Sequence, residues 1–133
     1  MIENNEVIVR LLVSSILGAL VGYEREHSHK DAGLRTHMLV SVGSALITLV
    51  SIYAFPEGDP TRVASSIITG IGFLGAGAII VGKGNVKGLT TAASLWMVAG
   101  LGLAVGSGFY IGALVASLLV MLILELNRFV KIR

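Results

Sequence analysis

Nineteen consecutive residues, Val63 to Val81, carry no charge and are rich in glycine, with Gly70-Ile71-Gly72-Phe73-Leu74-Gly75-Ala76-Gly77 at their centre. A run of that length matches the ~20 apolar residues needed to cross a hydrocarbon core of ~30 Å. The run therefore predicts a membrane helix. Ser66 and Gly70, like Gly72 and Ala76, stand four apart, the small-xxx-small spacing that lets membrane helices approach closely. On that basis this helix is expected to be the hub of a bundle, packing through Gly70, Gly72, Gly75 and Gly77. The same letters match G-x-G-x-x-G, but that dinucleotide fingerprint requires a strand before it, a helix after it and an acidic residue about 20 positions on. The positions near 95 are Ser94, Leu95 and Trp96, so nucleotide binding is not expected.

The rest of the chain fits the same solvent. Of 133 residues, 54% are hydrophobic and 14% charged, against roughly 25% charged in an average soluble domain. Cysteine is absent, which removes disulfides, thiolate metal sites and a cysteine nucleophile. Ten Lys and Arg against eight Asp and Glu is too small an excess to suggest a nucleic-acid partner. The segment before Glu6 lacks the basic start of a secretory signal peptide, so the first helix is expected to stay in the protein. Five spans follow, at about 6–23, 36–54, 63–81, 89–105 and 109–126, in one all-α transmembrane domain over 1–133. The first is expected to be capped by Asn4 or Asn5 and carries Gly18 and Gly22 in a G-x-x-x-G face. Asp59-Pro60 reads as an N-cap followed by proline at the first helical position. Gly82 to Gly88 reads as a short basic turn, and Gly106-Ser107-Gly108 as a tight connection between antiparallel neighbours.

Five spans place the termini on opposite sides, and positive charge decides which is which. With the N-terminus outside, Arg25, Lys30, Arg35, Lys83, Lys87, Arg128, Lys131 and Arg133 face the cytoplasm, and only Arg10 and Arg62 lie outside. The expectation is a multi-pass protein of the bacterial inner membrane with a cytoplasmic C-terminus.

Candidate functional residues are few. Glu24-Arg25-Glu26 could supply oxygen ligands to a hard cation such as Mg²⁺. Adjacent helical residues point about 100° apart, so joint ligation needs a break in the helix; otherwise the cluster is an interfacial charge group. His27 and His29 read as a solvated loop. Asp59 reads first as a helix cap and second, with Arg62, as a candidate cation or partner contact on the outer side. Arg62 opposes the positive end of its helix dipole and so needs open water or a carboxylate. Arg10 and Glu125 are the charges closest to lipid, where ionisable groups are functional candidates by default; Arg10 is expected to snorkel outward, and Glu125 to pair with Arg128. Hydroxyls from Thr90 and Thr91 to Ser94 are expected to cap the fourth helix or bond across to a neighbour. No catalytic constellation or phosphate-cradling loop occurs, so the chain reads as a non-enzyme that needs no cofactor beyond, at most, Mg²⁺. Its small-residue faces suggest a homodimer or other homo-oligomer, or contact with another inner-membrane protein.

Taken together, Arg10-Leu11-Leu12, Gly22-Tyr23-Glu24-Arg25-Glu26, Ala32-Gly33-Leu34-Arg35-Thr36-His37, Asp59-Pro60-Thr61-Arg62, the hub glycines and Gly88-Leu89-Thr90-Thr91-Ala92-Ala93 resemble the MgtC/SapB family of bacterial membrane proteins. The resemblance spans nearly the whole chain. It implies a five-span inner-membrane protein linked to magnesium limitation and, in pathogens, to survival inside host cells. Many members continue into a cytoplasmic ACT-like domain, so the resemblance covers the transmembrane domain alone. Virulence-associated members show Asn where this chain has Thr90. Both departures bear on whether those members' inhibition of the ATP synthase carries over. Two roles follow from the resemblance: a regulator of a membrane partner, or a small magnesium or cation transporter whose ion meets Glu24, Glu26, Asp59 or Glu125.

Overall fold

The computed structural model describes residues 1–130; Lys131 and Arg133, counted in the charge bias, lie outside the described residues. It contains five helices: α1 (Asn4–His27), α2 (Leu34–Tyr53), α3 (Pro60–Gly77), α4 (Leu89–Gly106) and α5 (Tyr110–Phe129). Four of them, α1, α2, α4 and α5, are long and apolar enough to cross a membrane. The elements alternate in direction. Arg10 of α1 meets Tyr53 at the end of α2 and Gly106 at the end of α4, while Gly75 near the end of α3 faces Ala92 near the start of α4. Consequently α2 and α4 run parallel, with α3 as the return between them.

Local chemistry accounts for the starts of α3 and α4. Asp59 accepts hydrogen bonds from the Thr61 backbone N–H and hydroxyl, 2.9 and 2.6 Å, and Pro60 takes the first helical position. Gly88 begins α4 at φ +87, a conformation open to glycine, and a Cβ there would strike the Ala78 carbonyl. The start of α1 departs from expectation. Glu3 occupies the N-cap position, no side chain caps it, and Asn4 is already helical. Its end also departs: α1 continues through the charged turn to His27, because Glu24 and Arg25 turn inward and pair instead of entering solvent.

The apolar run expected to extend to Val81 stops at Gly77. Beyond it lies a hairpin of two short strands, β1 (Ile80–Gly82) and β2 (Asn85–Lys87), with Val81 opposite Val86. Glycine at positions 75 and 77 weakens the helix end, and β-branched Ile79, Ile80 and Val81 favour the extended form.

The expected hub is peripheral. Of α3 only Ile71 and Gly75 are buried. The centre is built by α2 and α4 with α1 against them, and nine residues of α4 are buried, from Thr91 to Gly106. Glycines make the close contacts here. A Cβ on Gly18 would lie 2.8 Å from the Ser41 Cβ, one on Gly22 2.8 Å from the Leu34 Cα, and one on Gly106 2.7 Å from the Ala45 carbonyl oxygen. Nothing lies within 4 Å of such an atom on Gly70, Gly72 or Gly77. Between the helices, α2 buries His37, Ser41, Ser44, Thr48 and Ser51, a polar stripe at alternating spacings of four and three. The Ser41 hydroxyl donates to the Ser14 carbonyl of α1 at 2.7 Å, and Ser44 to the Ala99 carbonyl of α4 at 2.6 Å. Hydroxyl bonds of this kind join helices in lipid, where hydrophobic association is weak.

Candidate functional site

Two polar clusters close the bundle at opposite ends, with apolar side chains and the small hydroxyls of the α2 stripe between them. At the first end Arg10 is buried, and its head is turned toward the ends of α2 and α4. Its Nε donates to Glu6 at 2.8 Å, and its Nη1 donates to the Gly106 carbonyl at 2.8 Å and the Tyr53 hydroxyl at 3.2 Å. Tyr110 donates its hydroxyl to the same Glu6 oxygen. The guanidinium also lies over both tyrosine rings, 5.7 and 6.0 Å from their centroids. One arginine thus ties α1, α2, α4 and α5, and local bonds offset the cost of placing its charge near lipid.

At the second end, Glu24 and Arg25 form a buried pair on consecutive residues, with Nε to Oε2 at 2.6 Å and Nη2 to Oε1 at 3.2 Å. Ser28 donates to Glu24 at 2.7 Å. Arg25 Nη1 is a buried side-chain nitrogen without a hydrogen-bond partner among the described residues. Beside this pair His37 is fully buried, with Nδ1 2.8 Å from the Gly33 carbonyl and Nε2 2.8 Å from the Ser94 hydroxyl. A carbonyl only accepts, so Nδ1 carries a proton; Nε2 faces the Ser94 hydroxyl, whose single proton can go to Nε2 or to the Thr91 carbonyl but not to both. Ser94 is also 2.7 Å from the Thr91 carbonyl of its own helix.

The two candidate metal carboxylates of this turn are directed to different partners. Glu26 accepts the Leu34 backbone N–H at 2.7 Å, so α1 supplies the anion at the N-terminus of α2. Glu24 faces inward to Arg25 and Ser28. Asp59 stands at the opposite end, capping α3, where the Thr61 hydroxyl and backbone N–H hold its carboxyl below the usual aspartate range. Among the described residues no group of three or more His, Cys, Asp or Glu is placed to hold a metal ion.

The remaining charges are simpler. Arg62 is exposed, with no carboxylate within 4.0 Å among the described residues. Glu125 pairs with Arg128 at 2.9 Å. Arg35 is exposed at the start of α2. Thr91 is buried, and Thr90 is exposed on an apolar groove between α4 and α5. His27 belongs to α1 and stacks on Tyr23, with centroids 6.0 Å apart, instead of lying in a loop. Sequence reasoning gave no role to His37, Tyr53 or Tyr110, whereas Ser94 was among the hydroxyls expected to cap α4 or bond across, and it lies against His37 of α2. The stripe of small polar residues along α2 was the available signal.

The sequence model of the MgtC family matches residues 11–132. This chain belongs to the MgtC family. It is 43% identical over 128 residues to YhiD of Escherichia coli strain K12, provisionally named a magnesium transporter, covering 90% of this chain and 60% of that protein. Protein MgtC of Salmonella typhimurium strain LT2 is 46% identical over 114 residues, covering 86% of this chain and 49% of that protein. An uncharacterized protein of Synechocystis, slr0014, is 42% identical over 119 residues, covering 90% and 51%. The chain thus spans half to three fifths of these relatives. No solved structure matches it. Family membership and the four apolar helices identify a multi-pass membrane protein.

Proposed function

We infer that the chain is an inner-membrane protein crossing the bilayer five times, N-terminus outside and C-terminus cytoplasmic, that serves adaptation to low magnesium by acting on a membrane partner. As the fifth span, α3 runs across the bundle beside α2 and α4, and its 18 residues measure about 27 Å at ~1.5 Å each. The orientation rests on the positive-inside bias.

One observation supports regulation over transport: the apolar side chains between the two polar clusters are buried, and the Ser41, Ser44 and Thr48 hydroxyls among them are bonded to backbone carbonyls. Val21, Ala45, Val98, Ala99, Leu101 and Val105 are each at most 2% exposed. The charges nearest this core are held by internal bonds: Arg10 to Glu6, and Glu24 to Arg25. By contrast, Gly72 and Ala76 of α3 are exposed and flat, a surface suited to a helix of another inner-membrane protein or of a second copy. YhiD's provisional name supports the alternative, a magnesium or cation transporter.

Magnesium flux into liposomes carrying the purified protein separates the two. The regulatory reading expects uptake equal to that of empty vesicles, with Glu24→Gln and Asp59→Asn changing nothing. Saturable uptake abolished by either substitution would establish transport and replace it.

A further inference from the structure

The geometry points to a binding site for a zwitterionic phospholipid with a primary ammonium headgroup, of the phosphatidylethanolamine class, in the cleft between α2 and α3. The site has two parts that meet at Leu39. The first is an apolar groove of about 540 Å³, walled by Leu39 and Ile47 of α2 and by Val63, Ile67, Gly70 and Leu74 of α3. From Val63 to Leu74 it extends about 16 Å along the helix at ~1.5 Å per residue. That equals one leaflet, half of a hydrocarbon core of ~30 Å. An acyl chain has this length and chemistry.

The second part is a recess of about 280 Å³ at the Arg35 end, formed by Glu26, Asp31, Gly33, Arg35 and Thr36 and again by Leu39. Its lining is polar where the groove's is apolar, so together they change character as a lipid does between tail and headgroup. The charges in the recess select which headgroup. Arg35 has no carboxylate within 4.0 Å among the described residues, so its planar fork is free for a phosphodiester. Asp31 is exposed and makes no ion pair, and Glu26 spends one oxygen on the Leu34 N–H. Those carboxylates suit the three N–H donors of a primary ammonium. A glycerol headgroup would bring a phosphate's charge beside two carboxylates with no cation of its own. A choline headgroup has no N–H to donate.

This inference needs only the membrane placement of α2 and α3 and is independent of the regulatory reading. The experiment is native mass spectrometry of the full chain, released from nanodiscs of equal parts phosphatidylethanolamine, phosphatidylglycerol and phosphatidylcholine. Preferential retention of one phosphatidylethanolamine per chain is expected. Arg35→Gln or Asp31→Asn should lower it about tenfold, the loss that follows from one charged hydrogen bond. Gly70→Leu fills the groove from a position with nothing within 4 Å, and should abolish retention while leaving the helix content unchanged by circular dichroism. Equal retention of the three lipids, preference for phosphatidylglycerol, or undiminished retention by a folded Gly70→Leu protein would each overturn the assignment.

Discussion

Arg10 shows how one side chain can be both costly and necessary in this chain. Its bonds to Glu6, Tyr53 and Gly106 need the fork of a guanidinium, so Arg10→Lys keeps the charge and loses the geometry. We expect that substitution to cost about 1.5–3 kcal/mol, the worth of a hydrogen bond to a charged group, seen as a lower thermal midpoint in detergent by circular dichroism. A lysine variant as stable as the parent would show that charge alone suffices. Asp59 makes a prediction with a defined pH sense. Its carboxyl is held below the ordinary value of 3.8 by Thr61, so its stabilising contribution is complete above that value and lost as pH falls through the lower, folded value. The midpoint difference between the parent and Asp59→Ala should therefore be constant from neutral to mildly acid pH and narrow below 3.8. A gap that widened in acid would contradict this cap assignment. The Asp59-Pro60 cap and the Glu125–Arg128 pair were legible from local spacing because both partners lie within one turn. Arg10's partners were not, since two of them lie 43 and 96 residues away.

At the scale of helices, close approach is concentrated where Gly18 and Gly22 meet α2 and where Gly102 and Gly106 meet the same helix from the other side. Adding a methyl group at Gly18 forces the α1–α2 seam apart, and Gly18→Ala should cost about 1–3 kcal/mol, an overpacking penalty. Gly72→Ala meets open space and removes a flexible residue from a helix, so it should be neutral or stabilising by up to about 1 kcal/mol. Denaturant titration of the two variants side by side checks the contrast, and equal effects would refute it. All five helices could be placed from apolar run length, because lipid leaves few alternatives for a long uncharged segment. Which of them lies at the centre could not. Glycine content reports that a helix can approach a neighbour, while only the complementary face of that neighbour decides whether it does; α3 has the glycines and α2 has the polar stripe. The hairpin after Gly77 was equally hidden, because a short apolar run does not distinguish a strand from a helix end.

Across the whole molecule, the parallel pairing of α2 with α4 has a consequence for assembly. The contacts that join them link residues about 55 positions apart, such as Ser44 with Ala99 and His37 with Ser94, while α3 and the hairpin serve as the tether. Tethers at the rim of a bundle can be cut. Co-expressed fragments 1–83 and 84–133 should therefore find each other in the membrane and co-purify as a folded pair, whereas a break within α2 or α4 should yield no complex. Failure of the first pair to associate would mean that the tether does more than hold the helices near one another. If they do associate, the molecule is two insertable pieces, a three-helix unit and a helical hairpin, whose join is made by side-chain fit instead of chain continuity. The β-hairpin would then be the natural place to splice in a reporter or a sensor without disturbing either polar cluster.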